Sequence, residues 1–204
     1  AFLRNDEERR RAYLASLSKG EVKINASVLQ PHEIVSAYRN GEYSWMGRNR
    51  RELVKPYDET LEQLWLNLKD ITLGNTLVVR DGSGSMTSPS ISGNSCPLDI
   101  ATALAIYMAD HNTGDWKDKF ITFSNQPRIV DLGNCQNLRE KLIMAYQEAE
   151  CRNTDVEATM MLILKTAMET KCSQEDLPKT VLIISDMQFD EGTSQYMYGG
   201  YRRD

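Results

Sequence analysis

Thr76-Leu77-Val78-Val79-Arg80-Asp81-Gly82-Ser83-Gly84-Ser85-Met86 is the stretch on which the fold turns. Thr76 to Val79 is a short apolar run with β-branched residues, the pattern of a strand buried on both faces. A Gly/Ser-rich loop follows almost at once, with oxygen-bearing side chains at Asp81, Ser83 and Ser85. Alternate positions of extended backbone turn their side chains the same way. The intervening glycines let the loop fold tightly, so that the oxygens converge. Hydroxyls and carboxylates are hard ligands, suited to Mg²⁺, Mn²⁺ or Ca²⁺ rather than to softer metals. So little local negative charge would leave a cation electrophilic and partly hydrated, with a position open to an acidic group of a partner.

Outward from this stretch the chain alternates strand and helix patterns. Leu98 to Met108, opened by Pro97, is an apolar helix. Phe120–Phe123 and Arg128–Val130 read as strands around a turn at Asn125-Gln126-Pro127. Leu138–Ala149 and Val156–Thr170 read as helices, and Val181–Ile184 as a second buried strand that ends at Ser185-Asp186. The expected fold class is α/β, a mostly parallel sheet with helices on both faces. In such sheets ligands sit beyond the carboxyl ends of the strands. Asp81 and Asp186 each follow an apolar strand, so both carboxylates should reach one rim.

Residues 1–70 read differently, as helices joined by loops. Asp6–Leu17 carries acids at its start and Gly20 at its end; Pro31 opens a helix through Tyr38. Asp58–Lys69 repeats Leu61, Leu64, Trp65 and Leu68 as a helical stripe. We divide the chain into a helical segment, 1–70, the end of a larger helical region, and an α/β domain, 71–204, expected to be C-terminally incomplete. A segment of about 70 residues rarely holds itself together with a lone core, so that stripe should be buried against the rest of the chain or a further domain.

The formal net charge of −5 speaks against a uniformly basic nucleic-acid binder, and the acid excess lies beyond residue 70. No window approaches the ~18 consecutive apolar residues of a membrane span. Cys96, Cys135, Cys151 and Cys172 show no C-x-x-C spacing, and His32 and His111 are the only histidines. That pattern points away from zinc and toward reduced thiols in a cytoplasmic protein. His111 reads as a helix-end residue, and the methionines Met144, Met160, Met161 and Met168 read as core filler.

Asp81-Gly82-Ser83-Gly84-Ser85-Met86 after an apolar strand resembles the metal-ion-dependent adhesion site of von Willebrand factor A (vWA) domains, whose pattern is D-x-S-x-S. That family adds a Thr from a second loop and an Asp after a later strand. Thr154, in Arg152-Asn153-Thr154-Asp155, and Asp186, in Ile183-Ile184-Ser185-Asp186, stand in those places and in that order. The resemblance covers roughly residues 73 to 190. It implies a Mg²⁺ site (or Mn²⁺/Ca²⁺) formed by Asp81, Ser83, Ser85, Thr154 and Asp186, and a binding module rather than an enzyme. The partner would be a protein that supplies an acidic oxygen to the metal. Ser-Gly-Ser-Met and Thr154-Asp155 are most similar to the vWA domain of Ro-type (TROVE) ribonucleoproteins and to a related uncharacterised family with a helical N-terminal region. Arg152 and Asn153 replace the glycines that often precede the family's Thr, and the chain ends soon after the Asp186 strand, whereas the family's sheet continues.

Other readings of the same residues fit less well. An Asp after a strand also suits the nucleophile of a phosphoryl-transfer enzyme, the alternative function we retain. Such enzymes commonly carry a second acid two residues on, where this chain has Ser83. A nucleophilic Ser83 would need G-x-S-x-G, and Asp81 stands in place of the first Gly. Neither a P-loop nor a G-x-G-x-x-G is present. The loop with Trp45, Arg48, Arg50 and Arg51 combines an aromatic with cations, a combination that could stack on and neutralise RNA, or simply be solvated.

Overall fold

A computed structural model describes residues 6–22, 24–26, 28–40, 53–69, 74–87, 95–147 and 155–186. Three helices come first: α1 (Glu7–Ser18), α2 (Pro31–Tyr38) and α3 (Glu59–Leu66). Each has a physical start. Asp6 accepts the Arg9 N–H at 2.9 Å, and Asp58 accepts those of Thr60 and Leu61 at 2.8 and 3.2 Å. Glu33 accepts the Gln30 N–H at 2.7 Å while Pro31 holds the first helical position. Gly20 then turns the chain away from α1 at φ +72°, a conformation that favours glycine.

The remainder is an α/β fold. In order it comprises β1 (Thr76–Asp81), α4 (Pro97–His111), β2 (Lys119–Phe123), β3 (Ile129–Asp131), α5 (Leu138–Gln147), α6 (Val156–Thr170) and β4 (Thr180–Ile184). The sheet order is β3-β2-β1-β4, with β1 parallel to both neighbours and β3 antiparallel to β2. All six residues of β1 are buried, as a central strand requires. The strand also runs two residues further than the apolar run suggests, through Arg80 and Asp81.

Side chains alternate across the sheet and feed two cores. Val78, Phe120 and Val130 face α4 and α5, with Leu98, Ala101, Ala105, Ile106 and Leu142. Leu77, Val79, Ile121 and Phe123 face the other side, with Trp116 and with Ile163 of α6. α4 is enclosed nearly all round, and its alanines allow close approach. Arg80 lies on the α4 side, fully buried, donating to Thr102 Oγ1 at 3.1 Å with its guanidinium 5.2 Å from the Phe120 ring centre.

Of the N-terminal helices, α2 packs onto α4, α3 packs against α2 and reaches α4 through Trp65, and α1 packs on α3. Trp65 is 5% exposed; its Nε1 donates to Asp110 Oδ2 at 3.0 Å and its ring meets Tyr107 edge-on at 6.0 Å. Asp110 also holds Lys141 of α5 at 2.6 Å. Glu62 Oε2 accepts the Leu138 N–H at 2.9 Å, capping α5 from α3. Burial pushes the Glu62 carboxyl above its usual range, against the pull of that N–H and of Lys141. Asp99, fully buried at the start of α4, accepts the Cys96 N–H at 3.0 Å and the Tyr146 hydroxyl at 3.2 Å, with Arg39 at 3.5 Å. Burial, reinforced by the Asp99 charge, raises the Cys96 thiol to about 11.

One sequence expectation fails. The methionines of α5 and α6 do not fill the core. The buried stripe of α6 is Thr159, Ile163 and Ala167, so Met160, Met161 (57% exposed) and Met168 (71% exposed) point outward, as does Met144 on α5. Among the described residues no helix is long and apolar enough to cross a membrane.

Candidate metal centre

Because β1, β2 and β4 are parallel, their carboxyl ends share one rim. The loop after β1 is built there. Asp81 ends the strand fully buried, and its Oδ1 accepts the Ser83 backbone N–H at 2.8 Å. That bond folds the loop back on its own carboxylate. The left-handed glycines of the described residues are Gly20, Gly74 and Gly114, none of them in this loop. The Asp81 side chain therefore closes the turn that we expected the glycines to make. The loop then enters a short 3₁₀ turn, Ser85–Thr87, pinned by Met86, which is buried in the α4-side core. Within it the Ser83 and Ser85 hydroxyls lie 3.0 Å apart. Of the three alternating oxygens, the two serine hydroxyls meet, while the Asp81 carboxylate bonds the Ser83 N–H.

β4 brings the second carboxylate. Arg80 pairs with Ile184, so Ser185 and Asp186 emerge beside Asp81 and the loop that follows it. Asp186 is half-buried. Ser185, which the sequence reading did not single out, donates its hydroxyl to Asp81 Oδ2 at 2.6 Å. Only register could have revealed it, since a lone Ser before an Asp carries no pattern of its own.

The third segment arrives through α6. The turn after that helix abuts the start of β1: the Asn75 side-chain amide donates to the Asp176 and Leu177 carbonyls at 3.1 and 2.9 Å, and Lys179 N–H to Asn75 O at 3.0 Å. The helix therefore ends at the amino rim of the sheet and begins at the carboxyl rim. Its first turn is capped by Asp155, which accepts the Ala158 N–H at 2.9 Å, while Thr159 Oγ1 donates to the Asp155 carbonyl at 2.8 Å. Thr154 lies outside the described residues, as do Trp45, Arg48, Arg50 and Arg51.

The donor set fits a small hard cation. Two ligands at adjacent corners of an octahedron with metal–oxygen distances of about 2.1 Å are about 3.0 Å apart; at about 2.4 Å, as for Ca²⁺, they are about 3.4 Å apart. The Ser83 and Ser85 hydroxyls are hydrogen-bonded to each other at 3.0 Å, which brings two hard oxygens together without selecting between these ions. Asp81 is a fully buried carboxylate whose partners among the described residues are one N–H and one hydroxyl, with no cationic side chain. A buried carboxylate is costly without a positive charge nearby, and a divalent ion would supply one. Among the described residues no three His, Cys, Asp or Glu side chains gather as a metal-binding cluster. The candidate site is of another kind, part hydroxyl and part carboxylate.

Comparison with known proteins bears on family but not on chemistry. A family model described as "Domain of unknown function (DUF7788)" matches residues 75–201. Uncharacterized protein L728 of Acanthamoeba polyphaga mimivirus is 29% identical over 184 residues, covering 88% of this chain and 28% of that protein. The chain thus spans little more than a quarter of the length of that relative. No solved structure matches. The match over the whole described sheet and its rim places the chain in the DUF7788 family.

Proposed function

We propose that this chain is a divalent-cation-dependent recognition module of the vWA type, not an enzyme. Asp81, Ser83, Ser85, Thr154 and Asp186 form its ligand set for Mg²⁺ or Mn²⁺. The observation that carries this reading is the buried Asp81 carboxylate, held at the carboxyl rim beside two converging serine hydroxyls and a second carboxylate. A cation bound there would offer a Lewis-acidic position to an incoming acidic oxygen. The chain does the rest: Met86 anchors the loop in the core, the Ser83 N–H orients Asp81, and β4 delivers Asp186 in register. The partner is a protein, or a ribonucleoprotein, that presents a carboxylate or phosphate oxygen. A phosphoryl-transfer reading is not favoured, because Ser83 occupies the place of the second acid and spends its N–H on Asp81.

Ligand binding to the native state raises apparent stability by mass action. The melting temperature of the full chain should rise with millimolar Mg²⁺ and fall back with chelator, and Asp81→Ala should abolish the rise while leaving a cooperative transition. An unchanged melting temperature at saturating Mg²⁺ would set the reading aside. Turnover of a generic phosphoester would favour the enzyme instead.

A further inference from the structure

We infer that residues 187–204 dock on an uncovered lane of the fold, between the open edge of β4 and one flank of α6. The inference is independent of the metal reading.

β4 has the apolar texture of β1 without its burial. Val181, Leu182, Ile183 and Ile184 are all only half-buried, whereas every residue of β1 is buried. Among the described residues β1 alone pairs with β4, so the outer edge of β4 is open. No Pro or charge stands in the strand to protect that edge. α6 is bare along one side. Val156, Met160, Leu164 and Met168, every fourth residue, are apolar and exposed and form one ridge. Ala158, Leu162 and Thr166 on the opposite flank are half-buried.

The two bare surfaces adjoin. α6 lies against β2 and runs from the carboxyl rim to the amino rim before the chain enters β4. β2 and β4 are parallel, and a right-handed connection between them turns the Val156 ridge toward β4. With β1 between them, β4 lies two strand spacings, about 10 Å, from β2. Packed helices lie about 8–10 Å apart, so the lane beside α6 has room for one further layer of chain. A second copy joined edge to edge through β4 would not fill it. The two β2 strands, and the helices over them, would then stand five spacings apart, about 24 Å, and the ridges would not meet.

Residues 187–204 start where the lane starts. They lie outside the described residues and follow Asp186, which β4 delivers to the carboxyl rim. Their 18 residues span about 27 Å even at helical rise, against about 22 Å for α6. They supply large apolar groups at Met187, Phe189, Tyr196, Met197, Tyr198 and Tyr201. The family match runs on to residue 201, so most of this segment belongs to the same domain as the sheet.

Hydrogen–deuterium exchange of the full chain, read by mass spectrometry, tests the docking. Wild type is compared with Leu164→Asp and Met168→Asp on the ridge and with Lys165→Asp, which is exposed away from it. Met168 is the more exposed of the two ridge positions, so its variant serves if Leu164→Asp folds poorly. Protection of α4 reports folding in each protein. We expect the amides of 187–204 to be protected in wild type and in Lys165→Asp. In both ridge variants they should lose about tenfold or more of that protection, because docking would bury an unpaired charge. Exchange of 187–204 at the unfolded rate in folded wild type overturns the inference. So does protection that survives in both ridge variants. A concentration-dependent dimer in sedimentation, dissolved by the ridge variants while 187–204 stays unprotected, overturns it in favour of a second copy.

Discussion

Replacing Trp65 by alanine tests how the N-terminal helices are joined to the α/β fold. The indole is 5% exposed, lies in the core cluster with Tyr107 and Ile106, meets Tyr107 edge-on and donates to Asp110 Oδ2 at 3.0 Å. Truncating a buried Trp costs about 3–5 kcal/mol in lost transfer energy and cavity formation. The hydrogen bond adds little beyond that, because Asp110 keeps Lys141 at 2.6 Å and no charge is stranded. For a chain of this size each kcal/mol lowers Tm by about 2–4 °C, so Trp65→Ala should melt roughly 6–20 °C lower. Far-ultraviolet circular dichroism is the suitable probe, since it does not depend on tryptophan emission. Trp65→Phe keeps the ring contact with Tyr107 and should recover more than half of the loss. A loss below about 1 kcal/mol, or a melt resolved into two steps with the larger unaffected, would refute the packing of α3 on α4.

Two further predictions concern buried ionisable groups. Burial raises the Glu62 carboxyl, so the folded state favours its neutral form; the stability it contributes is present in acid and is lost as pH rises through its folded pKa. Glu62→Gln keeps an acceptor for the Leu138 N–H, so chemical denaturation at neutral pH should place it within about 1 kcal/mol of wild type or above it; a larger loss that vanishes in acid would contradict this sign. The Cys96 thiol, raised to about 11, stays protonated in the fold while the unfolded chain ionises near its ordinary value of 9.0. Between those values wild type should lose up to about 3 kcal/mol more stability than Cys96→Ala, and parallel pH profiles for the two proteins would rule this out.

Much of this architecture is legible in the sequence because its strands are buried on both faces. Thr76–Val79 and Val181–Ile184 stand out as apolar runs, and Pro97, Asp58 and Asp155 announce helix starts. The shared rim of Asp81 and Asp186 follows from parallel pairing. Arg80 hides the true end of β1, since a charged residue ends an apolar run on paper, whereas Thr102 and the Phe120 ring accommodate it inside. The methionines misled for a related reason. Hydrophobicity alone made them core, but the stripe facing the sheet is Thr159, Ile163 and Ala167, small or polar at two of its three positions. Ser185 was invisible because its bond to Asp81 depends on the register between β1 and β4.

Electron paramagnetic resonance of Mn²⁺ titrated into the full chain tests the central claim most directly, because protein-bound and hexaaqua Mn²⁺ give distinct signals. The account predicts one bound Mn²⁺ per chain, displaced by Mg²⁺ and lost in Asp81→Ala and in Asp186→Ala while both variants remain folded. A free-ion signal throughout the titration of folded wild type, or full binding retained in both variants, would contradict it.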